Sequence, residues 1–133
     1  MLKFVVFMSV CVALSRGMSD EMKELMDSLH KTCTASTGAT EDVVAKAQKG
    51  DFTEDENLKC YMKCTLDEVG LVEDDGKIDI EGMIAMLPDE VKDTLDPILR
   101  KCGATSVGAN ACETVFLLYK CTFNENPSMY FLP

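Results

Sequence analysis

The chain has 133 residues, with 13 basic and 23 acidic side chains and a formal net charge of −10, seven cysteines and no tryptophan. That length supports one domain with one modest core. A charge of that sign repels phosphate backbones and anionic membrane surfaces, which argues against nucleic acid as a partner.

Residues 1–17 begin with a basic Lys3, continue through an apolar run from Phe4 to Leu14, and end in the small residues Ser15 and Gly17. This is the pattern of a secretory signal peptide, and the run is too short for a membrane span. Cleavage before Met18 removes Cys11, Lys3 and Arg16 but no acid, so the expected mature domain, 18–133, has six cysteines and a net charge of −12.

Helical periodicity dominates the chain beyond Met18. Met22, Leu25, Met26 and Leu29 recur at steps of three and four, predicting a first helix from Asp20 to Thr32 that ends near Cys33. A second is expected over Glu41–Gln48, with Thr40 as N-cap and Gly50 as stop. Thr53 followed by Glu56 reads as a capping box for a third, in which Leu58, Tyr61, Met62, Thr65, Leu66 and Val69 lead to a stop at Gly70. Asp79 caps a short fourth holding Ile80, Met83, Ile84 and Leu87, and Pro88 both ends it and opens a fifth, Asp89 to Cys102. Pro97 lies inside the fifth and predicts a kink or a break. The sixth is expected over Ala109–Cys121, with Val115, Phe116, Leu118 and Tyr119 on its apolar side. The fold class that results is all-α, one compact six-helix domain.

Cys33, Cys60, Cys64, Cys102, Cys112 and Cys121 are separated by 26, 3, 37, 9 and 8 residues. An even set in a short exported chain is a disulfide framework, although spacing alone leaves the pairing open. Cys60 and Cys64 stand one turn apart on the third helix, so that helix is tied to two other segments at once. Cys112 and Cys121 fall on opposite sides of the sixth, which two bridges would clamp between different neighbours.

Several chemistries fail for want of residues. Glu73 to Glu81 resembles a calcium loop around Gly76, but Leu71 and Gly82 stand where the two essential carboxylates belong, so it reads as a solvated acidic turn. His30 is the only histidine and the six mature thiols are assigned to bridges, which leaves no nucleophile and base pair and no zinc site. A secreted phospholipase needs a His-Asp pair, whereas Lys31 follows His30. His30 is read as a solvent-facing residue at a helix end. No catalytic residue, metal or cofactor is expected.

The cysteine gaps, the helical pattern and the acidic exported character together resemble the insect odorant-binding proteins, of the six-cysteine pheromone-binding and general odorant-binding type; the gaps of 3 and 8 residues are the distinctive ones. The resemblance implies bridges Cys33–Cys64, Cys60–Cys112 and Cys102–Cys121 around an apolar cavity. It implies a non-enzymatic carrier of a small hydrophobic volatile ligand or pheromone through sensillar fluid to an olfactory receptor or other membrane protein, acting as a monomer or weak homodimer. The same scaffold also serves in non-olfactory secretions, and a helical secreted signalling protein with a filled core is the alternative from another class.

The expected walls come from Leu66 and Val69 of the third helix, Leu71, Ile78, then Met83, Ile84 and Leu87 of the fourth, and Val115, Leu118 and Tyr119 of the sixth. The tail 122–133 ends Met129, Tyr130, Phe131, Leu132, Pro133. Left exposed, it would present a large apolar patch, so it is expected to fold back and add Tyr130, Phe131 and Leu132 to the wall. Thr65, Tyr119 and Tyr130 carry hydroxyls suited to anchoring a ligand.

Overall fold

A computed structural model describes residues 20–133; the expected signal peptide lies outside them. Among the described residues six helices follow one another: α1 Asp20–Thr37, α2 Glu41–Gln48, α3 Glu56–Glu68, α4 Ile80–Met86, α5 Asp89–Thr105 and α6 Ala111–Glu125. Four begin on a side-chain cap, where Thr40, Asp55, Asp79 and Asn110 each accept from the backbone N–H three residues on.

Local chemistry moves several ends from where periodicity puts them. α1 passes Cys33, with Thr34 and Thr37 donating back to the carbonyls of His30 and Cys33, and it stops only at Gly38, whose φ is +76°. The Thr53 capping box does not form: the Asp55 carboxylate takes the Leu58 N–H at 3.0 Å, and Glu56 instead pairs with Lys59 at 3.3 Å. α5 runs unbroken through Pro97. Pro97 and the residue four before it, Asp93, are both exposed, so the carbonyl that loses its partner is hydrated. α6 starts at Ala111 behind its Asn110 cap and continues four residues past Cys121, leaving 126–133 as the non-helical tail.

α3 is the centre. Leu58, Tyr61, Met62, Thr65 and Leu66 recur on one buried face, and that face packs against α6, while α1 lies along another. Its two cysteines leave in those two directions, Cys64 to Cys33 of α1 and Cys60 to Cys112 of α6. Cys102 of α5 joins Cys121 on the other side of α6. These are the pairs that the resemblance implies. Between α3 and α4 the acidic segment makes a tight reversal, with Val72 bridged to Ile78 and the Glu73 N–H bonded to the Lys77 carbonyl. α4 then docks on α5 so closely that a Cβ at Gly103 would lie 2.6 Å from the Ile80 side chain.

Candidate ligand site

Two apolar clusters fill the interior. The larger joins α3 and α6, with Leu58, Tyr61, Met62, Val115, Phe116 and Leu118 at 2% exposure or less. The smaller is Ile84, Leu95 and Leu99, between α4 and α5. Ile80, Met83 and Ile98 pack against both, so they mark a seam where the α4–α5 pair meets the α3–α6 pair.

The tail runs from one cluster to the other. Met129 packs on the smaller cluster, while Tyr130 packs on the larger one and Leu132 is buried in it. Three sets of contacts hold it down. The Tyr130 hydroxyl donates to the Ala47 carbonyl at 2.6 Å, and the ring meets Phe52, Phe123 and Tyr119 edge to face, with centroids 5.8, 5.2 and 6.3 Å away. The Tyr61 hydroxyl donates to the Pro133 carbonyl at 2.5 Å. Gln48 Nε2 donates to the carbonyls of Leu132 and Pro133 at 3.4 and 3.3 Å. Burial pushes the Tyr61 and Tyr130 phenols well above the ordinary tyrosine range.

His30 sits beside this latch, contrary to its reading as a solvent-facing helix end. α1 extends seven residues beyond it, and its Nδ1 is 3.0 Å from the Tyr61 hydroxyl oxygen while Nε2 is 2.6 Å from Glu41. Turn geometry supports the same corner. Gly50, at φ +91°, leaves room for the Phe123 ring, whose nearest atom would lie 2.2 Å from a Cβ there.

One polar pair lies within the larger cluster. Thr65, 2% exposed, has its Oγ1 3.0 Å from the Tyr119 phenol oxygen and 2.6 Å from the Met62 carbonyl oxygen. Burial pushes the Tyr119 pKa up to about 12. By contrast, an open hollow on α1 is lined by the polar residues Glu24, Asp27, Ser28, Lys31 and Thr32.

Among the residues expected to form the wall, Leu66, Leu71, Val115, Leu118 and Leu132 are buried in the larger cluster, with Val69, Ile78, Tyr119 and Tyr130 partly buried against it. Ile84 belongs to the smaller cluster and Leu87 packs on it, while Met83 joins the two. Phe131 joins neither; it is 50% exposed, because Tyr130 and Leu132 turn inward and the residue between them points away. Sequence reasoning missed Ile80 and Ile98 as seam residues, although both lie on the apolar stripes of their helices. It also missed Phe52, Phe123, Gln48 and the His30–Tyr61 pair, whose partners are far away in the chain.

Among the described residues no helix is long and apolar enough to cross a membrane. Residues 16–125 match the profile of the PBP/GOBP family. General odorant-binding protein 69a of Drosophila melanogaster is 31% identical over 74% of this chain and 66% of its own length. General odorant-binding protein 56a of the same species is 30% identical over 92% of this chain and 88% of its own. In structure, odorant-binding protein 7 of Anopheles gambiae, solved with four disulfide bridges and in complex with an azo compound, superposes with a TM-score of 0.75. It is 29% identical over 84% of this chain and 90% of that one.

Proposed function

Because the chain belongs to the PBP/GOBP family of odorant-binding carriers, we propose that it carries a small hydrophobic ligand in the seam between its two apolar clusters, beneath the tail. The observation that carries this reading is the overlap: Ile80, Met83 and Ile98 touch both clusters, and the tail likewise sets Met129 on one and Tyr130 and Leu132 on the other.

The chemistry suits uptake of an apolar volatile. The seam side chains offer dispersion contact and exclusion of water, worth roughly 25 cal/mol per Å² of apolar surface removed from solvent. Met83 adds an unbranched thioether that adapts to irregular ligand shapes. Separation of the clusters to admit a ligand is resisted by bridges that hold α3, α6 and α5 together, so the interior opens without unfolding. The protein works outside the cell, taking a volatile odorant or pheromone through aqueous fluid to a membrane receptor. The related Anopheles protein, in complex with an azo compound, supports a small organic cargo.

Uptake of N-phenyl-1-naphthylamine by the secreted, oxidised protein, followed by its displacement with volatile alcohols, esters and aldehydes, tests the reading. Micromolar uptake and displacement are expected, and deletion of Met129 to Pro133 weakens retention. An absence of probe uptake by the intact protein would sink it.

A further inference from the structure

Thr65 and Tyr119 set two hydroxyls inside an otherwise apolar region, and the geometry fixes the direction of the bond between them. Thr65 Oγ1 is 2.6 Å from the carbonyl oxygen of Met62. A carbonyl has no proton to give, so Thr65 is the donor there. A hydroxyl carries a single proton, which makes the same Oγ1 an acceptor toward Tyr119, 3.0 Å away. The Tyr119 proton is therefore committed to Thr65. The relay runs from the phenol to Thr65 to the backbone of α3, and it ends in a phenol oxygen that still has a free lone pair and no proton left to offer. Among the described residues, Thr65 is the hydrogen-bond partner of that phenol.

The setting puts this oxygen in the larger cluster, next to the tail. Tyr119 lies on α6 beside Leu118, packs on the larger cluster, and meets the tail through the Tyr130 ring at 6.3 Å. With a pKa of about 12 the phenol is neutral at physiological pH, so it attracts no cation by charge and offers only its lone pair.

We propose that Tyr119 determines ligand specificity, its acceptor-only oxygen selecting apolar ligands that bear a hydroxyl, alcohols above all, over isosteric ethers, aldehydes and carboxylates. An ether or aldehyde brings only acceptors and faces lone pair against lone pair; a carboxylate adds the loss of its hydration. Thr65 is the positioning residue, because its commitment to Met62 is what strips the phenol of a usable proton. The inference rests on the proposed ligand site and on its reaching from the seam to Tyr119 in the larger cluster.

Competition against bound N-phenyl-1-naphthylamine with three ligands of equal size, 1-nonanol, methyl octyl ether and nonanal, tests it. The wild-type protein binds nonanol about 5–10-fold tighter than the ether or the aldehyde, the ratio that one added neutral hydrogen bond supplies. Tyr119→Phe levels the three. Thr65→Val frees the phenol proton, so nonanal and the ether gain relative to nonanol, whereas Thr65→Ser restores the alcohol preference. Thermal melts confirm that each variant is folded, and the Thr65 pair decides the matter where Tyr119→Phe does not fold. Equal affinities in the wild type, or an alcohol preference that survives in Tyr119→Phe or Thr65→Val, overturn the assignment while leaving the carrier intact. No probe uptake by the wild type overturns both.

Discussion

The α3–α6 pair and the α4–α5 pair are built from the same kinds of aliphatic side chain but are held in different ways. α3 and α6 are bridged to each other by Cys60–Cys112, and each has a second bridge, to α1 and α5 respectively. Their shared core is close to fully buried. α4 carries no cysteine, and it rests on α5 through Ile84, Leu95 and Leu99 and through the pairing of Arg100 with Glu81, with Asp96 completing the cluster at 2.6 Å. Exposed ion pairs of this kind contribute little to stability. One side of the seam is thus a cross-linked frame, while on the other α5 is tied to that frame by a single bridge and α4 is held by packing, which lets the proposed site stay placed while its volume adapts.

Breaking the frame has the largest expected effect. Cys60→Ser with Cys112→Ser opens a loop of sequence separation 52 and costs about 4 kcal/mol by chain entropy, read in urea unfolding. The Cys102–Cys121 pair, with a separation of 19, costs about 3 kcal/mol by the same measure. A loss from Cys102–Cys121 exceeding that from Cys60–Cys112 would contradict the central role of α3 and α6.

Breaking the wall comes next. Leu99→Ala removes a side chain that is 5% exposed and is expected to cost about 3 kcal/mol. Hydrogen exchange in that variant should quicken in α4 and α5 before α3. Equal acceleration in α3 would mean that the two pairs are one cooperative unit.

The tail sharpens the contrast, since it spans both sides. Gly50→Ala forces a side chain into the Phe123 ring at a φ of +91° and is expected to cost about 2 kcal/mol. Tyr61→Phe removes one hydrogen bond to Pro133, costs about 1 kcal/mol, and should speed probe release in stopped flow.

The smallest effect near neutrality is alkaline. All three tyrosines, 61, 119 and 130, have pKa values raised by burial, so the folded state holds these protons more tightly than the unfolded chain does. Their contribution is fully present below the unfolded value of about 10 and is lost as pH rises above it. Tyrosinate absorbance should appear together with unfolding; ionisation near pH 10 in the folded protein would contradict the buried phenols.

Much of this was legible in the sequence because it is local or periodic. The stripe from Leu58 to Leu66, the Thr40 and Asp79 caps and the inward turn of the tail all follow from spacing and composition. The ends of α1 and α6 were not, because both helices run past the point where their apolar stripe fades, α1 to the turn at Gly38 and α6 to Glu125. The passage of α5 through Pro97 depends on that turn facing water. His30, Gln48 and Phe123 gain their partners only when segments far apart in the chain meet, and no pattern along one segment encodes that.

The seam itself is best tested on the methionines, which report from both sides of it. With methyl-labelled methionine and a saturating apolar ligand, the resonances of Met83, on the seam, and Met129, on the tail, should shift, while that of Met86, 54% exposed on the outside of α4, should not. Shifts confined to Met86 and the methionines of α1, or none at all with ligand bound, would place the ligand elsewhere and contradict a site between the two clusters.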